Sequence, residues 1–143
     1  MFEKVLLSID QSPDSAKAVA LACELAKVYG SQVLVVHGRD VPVVNPNPRP
    51  VAARVEHWET QDDAQQLVDT VVAELQGAGV HVRGQVLPGQ GHIGNKILKV
   101  ADDEGADLII LGSRGMSRLE EVMIGSVSHK IVHAATCPVV LAR

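Results

Sequence analysis

Short apolar runs and helical patterns alternate along this chain without a break, and that alternation limits it to one broad fold class. The runs are EKVLLSID at 3–10, QVLVVHG at 32–38, VHVRGQVL at 80–87, ADLIILG at 106–112 and TCPVVLAR at 136–143. The second and fourth hold several apolar residues in succession, as strands do when a parallel sheet is covered on both faces. Between the first two runs, Ala18, Leu21, Ala22, Leu25 and Val28 recur at helical spacing. Ser12 reads as the N-cap of that helix, with Pro13 at its first position and Gly30 as its C-terminal cap. A second helix is predicted over about 58–77, with Ala64, Leu67, Val68, Val71, Val72 and Leu75 as its stripe and Gly77 and Gly79 ending it. NKILKVADDEG gives a third, with Ile97, Leu98 and Ala101 inward, and a fourth runs from about Gly125 to Ala134. Five strands alternating with four helices imply an α/β fold, an open parallel sheet with helices on both faces.

At 143 residues the chain reads as a single domain over 1–143. That length buries ~68–70% of the unfolded surface without help from a disulfide or metal. Cys23 and Cys137 lie far apart in apolar elements and read as small core hydrophobes. With Phe2, Tyr29 and Trp58 the only aromatics, the core is aliphatic, and the stacking platform of a single-stranded nucleic-acid binder is missing. A net charge of −4 weighs against a general phosphate-backbone binder, so no nucleic-acid partner is expected. No apolar run reaches the ~18 residues of a membrane span, and the N-terminal run is too short for a signal peptide. A cytoplasmic protein without a membrane partner is expected. Residues 39–52 carry prolines 42, 46, 48 and 50 and read as a loop.

Ligands of open parallel sheets bind beyond the carboxyl ends of the strands. The first strand ends at Asp10, the second at Gly38 and the fourth at Gly112, so all three belong to one rim. From Gly112 the chain reads GSRGMSRLEEVMIGS, a spacing of G-x2-G-x9-G-S that ends as a helix begins. Glycines let backbone N–H groups approach a phosphate, and a helix start adds the positive end of its dipole. Gly112, Gly115, Gly125 and Ser126 are the candidates, with Ser113, Ser117 and Ser128 as further donors and Arg114 as a cation for an outer phosphate. The pattern is neither the Walker loop nor G-x-G-x-x-G, and glycine caps without a ligand are the alternative. Asp10 can accept from a base amine or a ribose hydroxyl, or serve only as a helix-capping acid. His129 and His133 share a helix face but have no third ligand in view, and no metal site is assigned. His37 reads as a satisfied core or rim residue, and His92 as a weak anion contact. No serine, histidine and acid stand at triad spacing, so no catalytic residue is assigned.

These residues together resemble the universal stress protein family, in its nucleotide-binding branch. The likeness runs from VLLSIDQSPDSAKAVALACELA through VLVVHG to EGADLIILGSRGMSRLEEVMIGSVSHKIVHAATCPVVLAR. It implies a Rossmann-like five-stranded sheet of order 3-2-1-4-5. It implies ATP as ligand, with Mg2+ as a companion and AMP or ADP as alternatives. Asp10 then matches the acid at adenine and ribose, Ser8 lines the same wall, and Gly112, Ser113 and Arg114 match the loop beside ribose and phosphates. Gly115, Gly125, Ser126 and Val127 match the phosphate contacts. Gly38 departs from the pattern, which has valine packing on the adenine there, and GQGHIGNKI departs from the glycine, acid and proline before the third helix. A homodimer through the C-terminal strand and an unidentified protein partner are implied, so the expected role is a nucleotide-dependent stress-response or signalling module. A slow ATPase or nucleotidyl-transfer enzyme is one alternative, and an interaction module with a vestigial site the other.

Overall fold

The computed structural model describes residues 1–39, 59–88, 91–113 and 124–143. Its elements follow the expected alternation. They are β1 (Lys4–Ser8), α1 (Pro13–Tyr29), β2 (Gln32–Gly38), α2 (Gln61–Gly77), β3 (His81–Leu87), α3 (Ile93–Glu104), β4 (Leu108–Gly112), α4 (Ser126–Ala134) and β5 (Val139–Ala142). The strands form one sheet in the order β3-β2-β1-β4-β5, parallel throughout. Order and number agree with the sequence reading. Pro138 stands just before the short edge strand β5, where its missing N–H costs no ladder bond.

Two aliphatic layers hold the helices to the sheet. Val5, Leu7, Val33, Val35 and Ile110 face α1 and α2, meeting Ala18, Ala22, Val68 and Leu75. Leu6, Leu34, Val36, Ile109 and Leu111 face α3 and α4, meeting Ile97, Ala101 and Ile131. Adjacent residues of each central strand thus point into opposite layers, which is why these strands are apolar at every position. Small alanines on α1 let that helix lie close to the sheet.

Local chemistry sets the helix ends. The Ser12 side chain accepts from Ser15 N–H, Pro13 opens α1, and Gly30 closes it at φ 67°. Thr60 and Asp63 form a reciprocal capping box at the start of α2. Four expectations need correction. Val28 is 74% exposed, because the inward face of α1 drifts to Ala26 in the last turn. Ala78, not a glycine, caps α2, and Gly79 takes the positive φ one residue later. α3 begins at Ile93, two residues earlier than its apolar pattern, because His92 caps it. Cys23 and Cys137 are only half-buried, each at the margin of one layer. Apart from Arg39, the proline-rich stretch lies outside the described residues.

Candidate functional site at the carboxyl rim

Strand register brings the predicted residues together. Ser8 pairs with Val36 on one side and Leu111 on the other. Two residues further along, Asp10 leaves β1 beside Gly38 of β2, while Gly112 and Ser113 leave β4 on its other flank. The rim therefore carries Gly38, Asp10 and Gly112–Ser113 in a row.

Asp10 is held by the turn into α1. Its Oδ1 accepts from Ser12 N–H at 2.7 Å, and its own N–H donates to Ser15 Oγ at 2.9 Å. Its Oδ2 has no partner among the described residues. A half-buried carboxylate, fixed through one oxygen and open at the other, is suited to accept from a hydroxyl or amine.

Gly112 is pinned from both faces. A Cβ placed on it would lie 3.0 Å from the Asp14 backbone carbon and 3.1 Å from Ser15 N, so the first turn of α1 packs against the bare Cα. Its carbonyl accepts from Ser128 Oγ at 2.8 Å, which ties α4 to β4. Ser113 is buried with its polar groups engaged. Its N–H donates to the Ala142 carbonyl, its carbonyl accepts from Gly125 N–H, and its hydroxyl donates to Asp14 Oδ2 at 2.9 Å. The structure thus gives Ser113 a fastening role, joining β5, α1 and the start of α4.

That fastening presents the N-terminus of α4. Gly125 is its N-cap at φ −66°, ψ 160°, and no side chain caps the helix. The first bond of the helix runs from His129 N–H to the Gly125 carbonyl. The N–H groups of Ser126, Val127 and Ser128 therefore point out of the helix end, with the positive end of the dipole behind them. α1, α2 and α3 each satisfy their first turns with a side chain, from Ser12, Thr60 and His92 respectively.

At the β2 end of the rim stands Ile93, which the sequence did not single out. The absent Cβ of Gly38 would fall 2.6 Å from Ile93 Cγ2, so Ile93, first residue of α3, fills the space a side chain at position 38 would take. His92 fixes that turn by accepting from Gly94 N–H through Nδ1 at 3.1 Å. A Cβ on Gly94 would lie 3.0 Å from Lys130 Cγ, so the first turn of α3 lies against the second turn of α4. Arg39 follows Gly38, and its Nε is buried with no hydrogen-bond partner. His37 is buried below the rim. Its Nδ1 donates to the Ile9 carbonyl at 2.8 Å, and Nε2 meets Glu59 Oε1 at 2.8 Å, joining the entry to α2 to β1. The two departures from the family pattern, Gly38 and GQGHIGNKI, meet in this contact.

Ser8, Asp10, Gly38, Gly112, Ser113, Gly125, Ser126 and Val127 thus lie along one rim. Arg114, Gly115 and Ser117 lie outside the described residues. Two other features stand apart. The rings of His129 and His133 lie 4.6 Å apart on the exposed side of α4, and among the described residues no three metal-ligating side chains converge. A cavity of about 300 Å³ opens at the amino ends of β1, β2 and β3, at the far edge of the sheet from the rim. Its charged groups are engaged: Arg83 pairs with Glu104, and Lys4 Nζ donates to the Glu104 carbonyl.

Comparison with known proteins agrees with this geometry. The solved structure of MJ0577, a protein of Methanocaldococcus jannaschii, matches with a TM-score of 0.79 and 26% identity, covering 99% of this chain and 96% of that one. A universal stress protein of Archaeoglobus fulgidus solved in complex with dAMP matches with a TM-score of 0.70 at 19% identity, over 100% of this chain and 98% of its own. The universal stress protein YxiE of Bacillus subtilis is 34% identical over 150 residues, spanning 100% of both chains. The family description "Universal stress protein family" matches residues 1–143. With the sheet order, the rim and a family match over its whole length in agreement, this chain belongs to the universal stress protein family.

Proposed function

We propose that the chain binds an adenine nucleotide along this rim, ATP in the first instance, and acts as a nucleotide-dependent stress-response or signalling module. The observation that carries the reading is the uncapped start of α4. Its N–H groups at Ser126, Val127 and Ser128 suit phosphate oxygens, and Gly125 and Ser126 hold the end of the G-x2-G-x9-G-S spacing. The open oxygen of Asp10 suits a ribose hydroxyl or base amine, and Arg39 Nε is a buried donor in need of an acceptor. The dAMP complex of the Archaeoglobus fulgidus protein supports a nucleoside phosphate as the class of ligand. Arg114 and Gly115 complete the phosphate loop in this reading, and Ser8 lines the wall beneath. Ser113 contributes through the position it gives Gly125. Mg2+ would accompany the phosphates and offset their negative charge.

Occupancy is the proposed mechanism: bound nucleotide changes the surface at the start of α4, and a partner protein reads that surface. β5 is an edge strand, and pairing with β5 of a second copy satisfies its open N–H and C=O groups. Calorimetric titration with ATP, ADP and AMP tests the reading, together with chromatography of nucleotide released from the purified protein. Micromolar binding supports it, and slow turnover lost in Gly115→Ala would move it toward an ATPase. A titration and a thermal transition both unmoved by any of the three nucleotides would overturn it.

A further inference from the structure

Ile93 stands where the base end of the proposed ligand needs an apolar surface. Asp10 and Gly38 leave the sheet side by side, and the bare Cα of Gly38 contributes no side chain to this wall. Ile93 reaches over it from α3, with Cγ2 at 2.6 Å and Cγ1 at 3.0 Å from the position a Cβ would occupy. It packs on the layer beneath α3 and α4 and is only partly buried. The first turn of α3 lies against the second turn of α4, through Gly94 and Lys130. Along the rim β1 lies between β4 and β2, so a ligand with its phosphate on the first turn of α4 and its sugar at Asp10 carries its base toward Gly38 and the Ile93 side chain against it.

We propose that Ile93 is the wall against which the base packs, in place of a side chain at position 38, and that it makes the site selective for a nucleotide over a bare phosphate chain. This rests on the nucleotide reading above. The role is one of shape and apolar contact: planar heteroaromatic rings gain by leaving water against a branched aliphatic side chain. Because Ile93 is the first residue of α3, with its turn fixed by His92, base contact also couples occupancy to the position of that helix.

The test compares ATP with inorganic tripolyphosphate, which lacks base and sugar, in the full chain and in Ile93→Ala. The expected result is a loss of about tenfold in ATP affinity with tripolyphosphate affinity unchanged. Equal affinities for ATP in the two proteins would overturn the proposal, as would a parallel loss for both ligands, which places the effect at the phosphate end. A wild-type chain that binds tripolyphosphate but not ATP also overturns it. If the wild-type chain binds neither, the nucleotide reading itself falls and this one with it. Should Ile93→Ala fail to fold, the wild-type chain serves: nuclear Overhauser contacts are expected between the Ile93 methyl groups and the base protons of bound ATP. A saturated complex without those contacts rejects the role.

Discussion

The hydroxyl of Ser113 donates to Asp14 Oδ2 at 2.9 Å, joining the residue after β4 to the first turn of α1 across 99 positions of sequence. The same turn of α1 presses its backbone on Gly112. Both residues belong to the stretch that reads as a phosphate loop, yet here their own groups secure helices to the rim. Asp14→Ala leaves the Ser113 hydroxyl, in a residue 2% exposed, without its acceptor, and a loss of ~1–3 kcal/mol is expected. Gly112→Ala drives a Cβ into helix backbone, which cannot yield as a side-chain tip does, and a loss of ~1–3 kcal/mol is expected there too. Urea unfolding checks both: the midpoint should fall with an unchanged slope.

Gly38 and Ile93 make a size pair whose stability can be measured without any ligand. A valine at position 38 meets the Ile93 side chain at 2.6 Å, so Gly38→Val alone should cost ~1–3 kcal/mol. Adding Ile93→Ala opens the space, and the double variant should recover most of that loss. A double-mutant cycle gives the coupling directly, and additive effects would mean that the two side chains do not compete for the same volume.

This pair also marks where sequence reading stops. The sheet was legible because its physics is local: Val33 to Val36 are apolar in succession, and only a doubly covered strand needs that. Ser12, Pro13 and Gly30 spelled out the ends of α1 for the same reason. The rim was legible as a set, since Asp10, Gly38 and Gly112 each end a strand. What local pattern could not carry was contact between distant segments. Ile93 sits 55 positions from Gly38, so no local pattern tells which side chain fills the space beside the glycine. Ser113 read as a phosphate donor because its partner Asp14 lies on another element. Val28 fits the helical stripe, yet burial is decided by what faces a residue, and Val28 stands 74% exposed in the last turn of α1.

Cys137 gives a prediction about reactivity. Partial burial penalises its thiolate first, with the nearby Asp102 and Asp107 carboxylates adding to the effect, so its pKa stands above the ordinary thiol value. At any pH near neutrality less of it is thiolate than of a free cysteine. Alkylation by iodoacetamide at pH 8, followed by mass spectrometry in a Cys23→Ser background, should therefore run slower than for a reference peptide thiol. Linkage gives the same sign for stability. The folded chain keeps this proton to higher pH than the unfolded chain does, so the contribution is fully present below the unfolded value and lost as pH rises through the folded one.

The start of α4 allows the hydroxyl and the backbone donor of one residue to be separated. Ser126 is the first helical residue, where proline is tolerated because its N–H has no partner in the helix. Gly125 already holds φ −66° and ψ 160°, within the extended range a following proline demands. Ser126→Pro should therefore fold with stability within ~1 kcal/mol of the parent, while it removes one N–H and one hydroxyl from the proposed phosphate contacts. Ser126→Ala removes the hydroxyl alone. A charge-assisted hydrogen bond is worth ~1.5–3 kcal/mol, so a backbone donor at this position predicts an ATP affinity about tenfold or more weaker in Ser126→Pro than in Ser126→Ala. Equal affinities in the two variants, measured by titration at matched thermal stability, would exclude the Ser126 N–H as a phosphate donor and shift the contact to Val127 and Ser128.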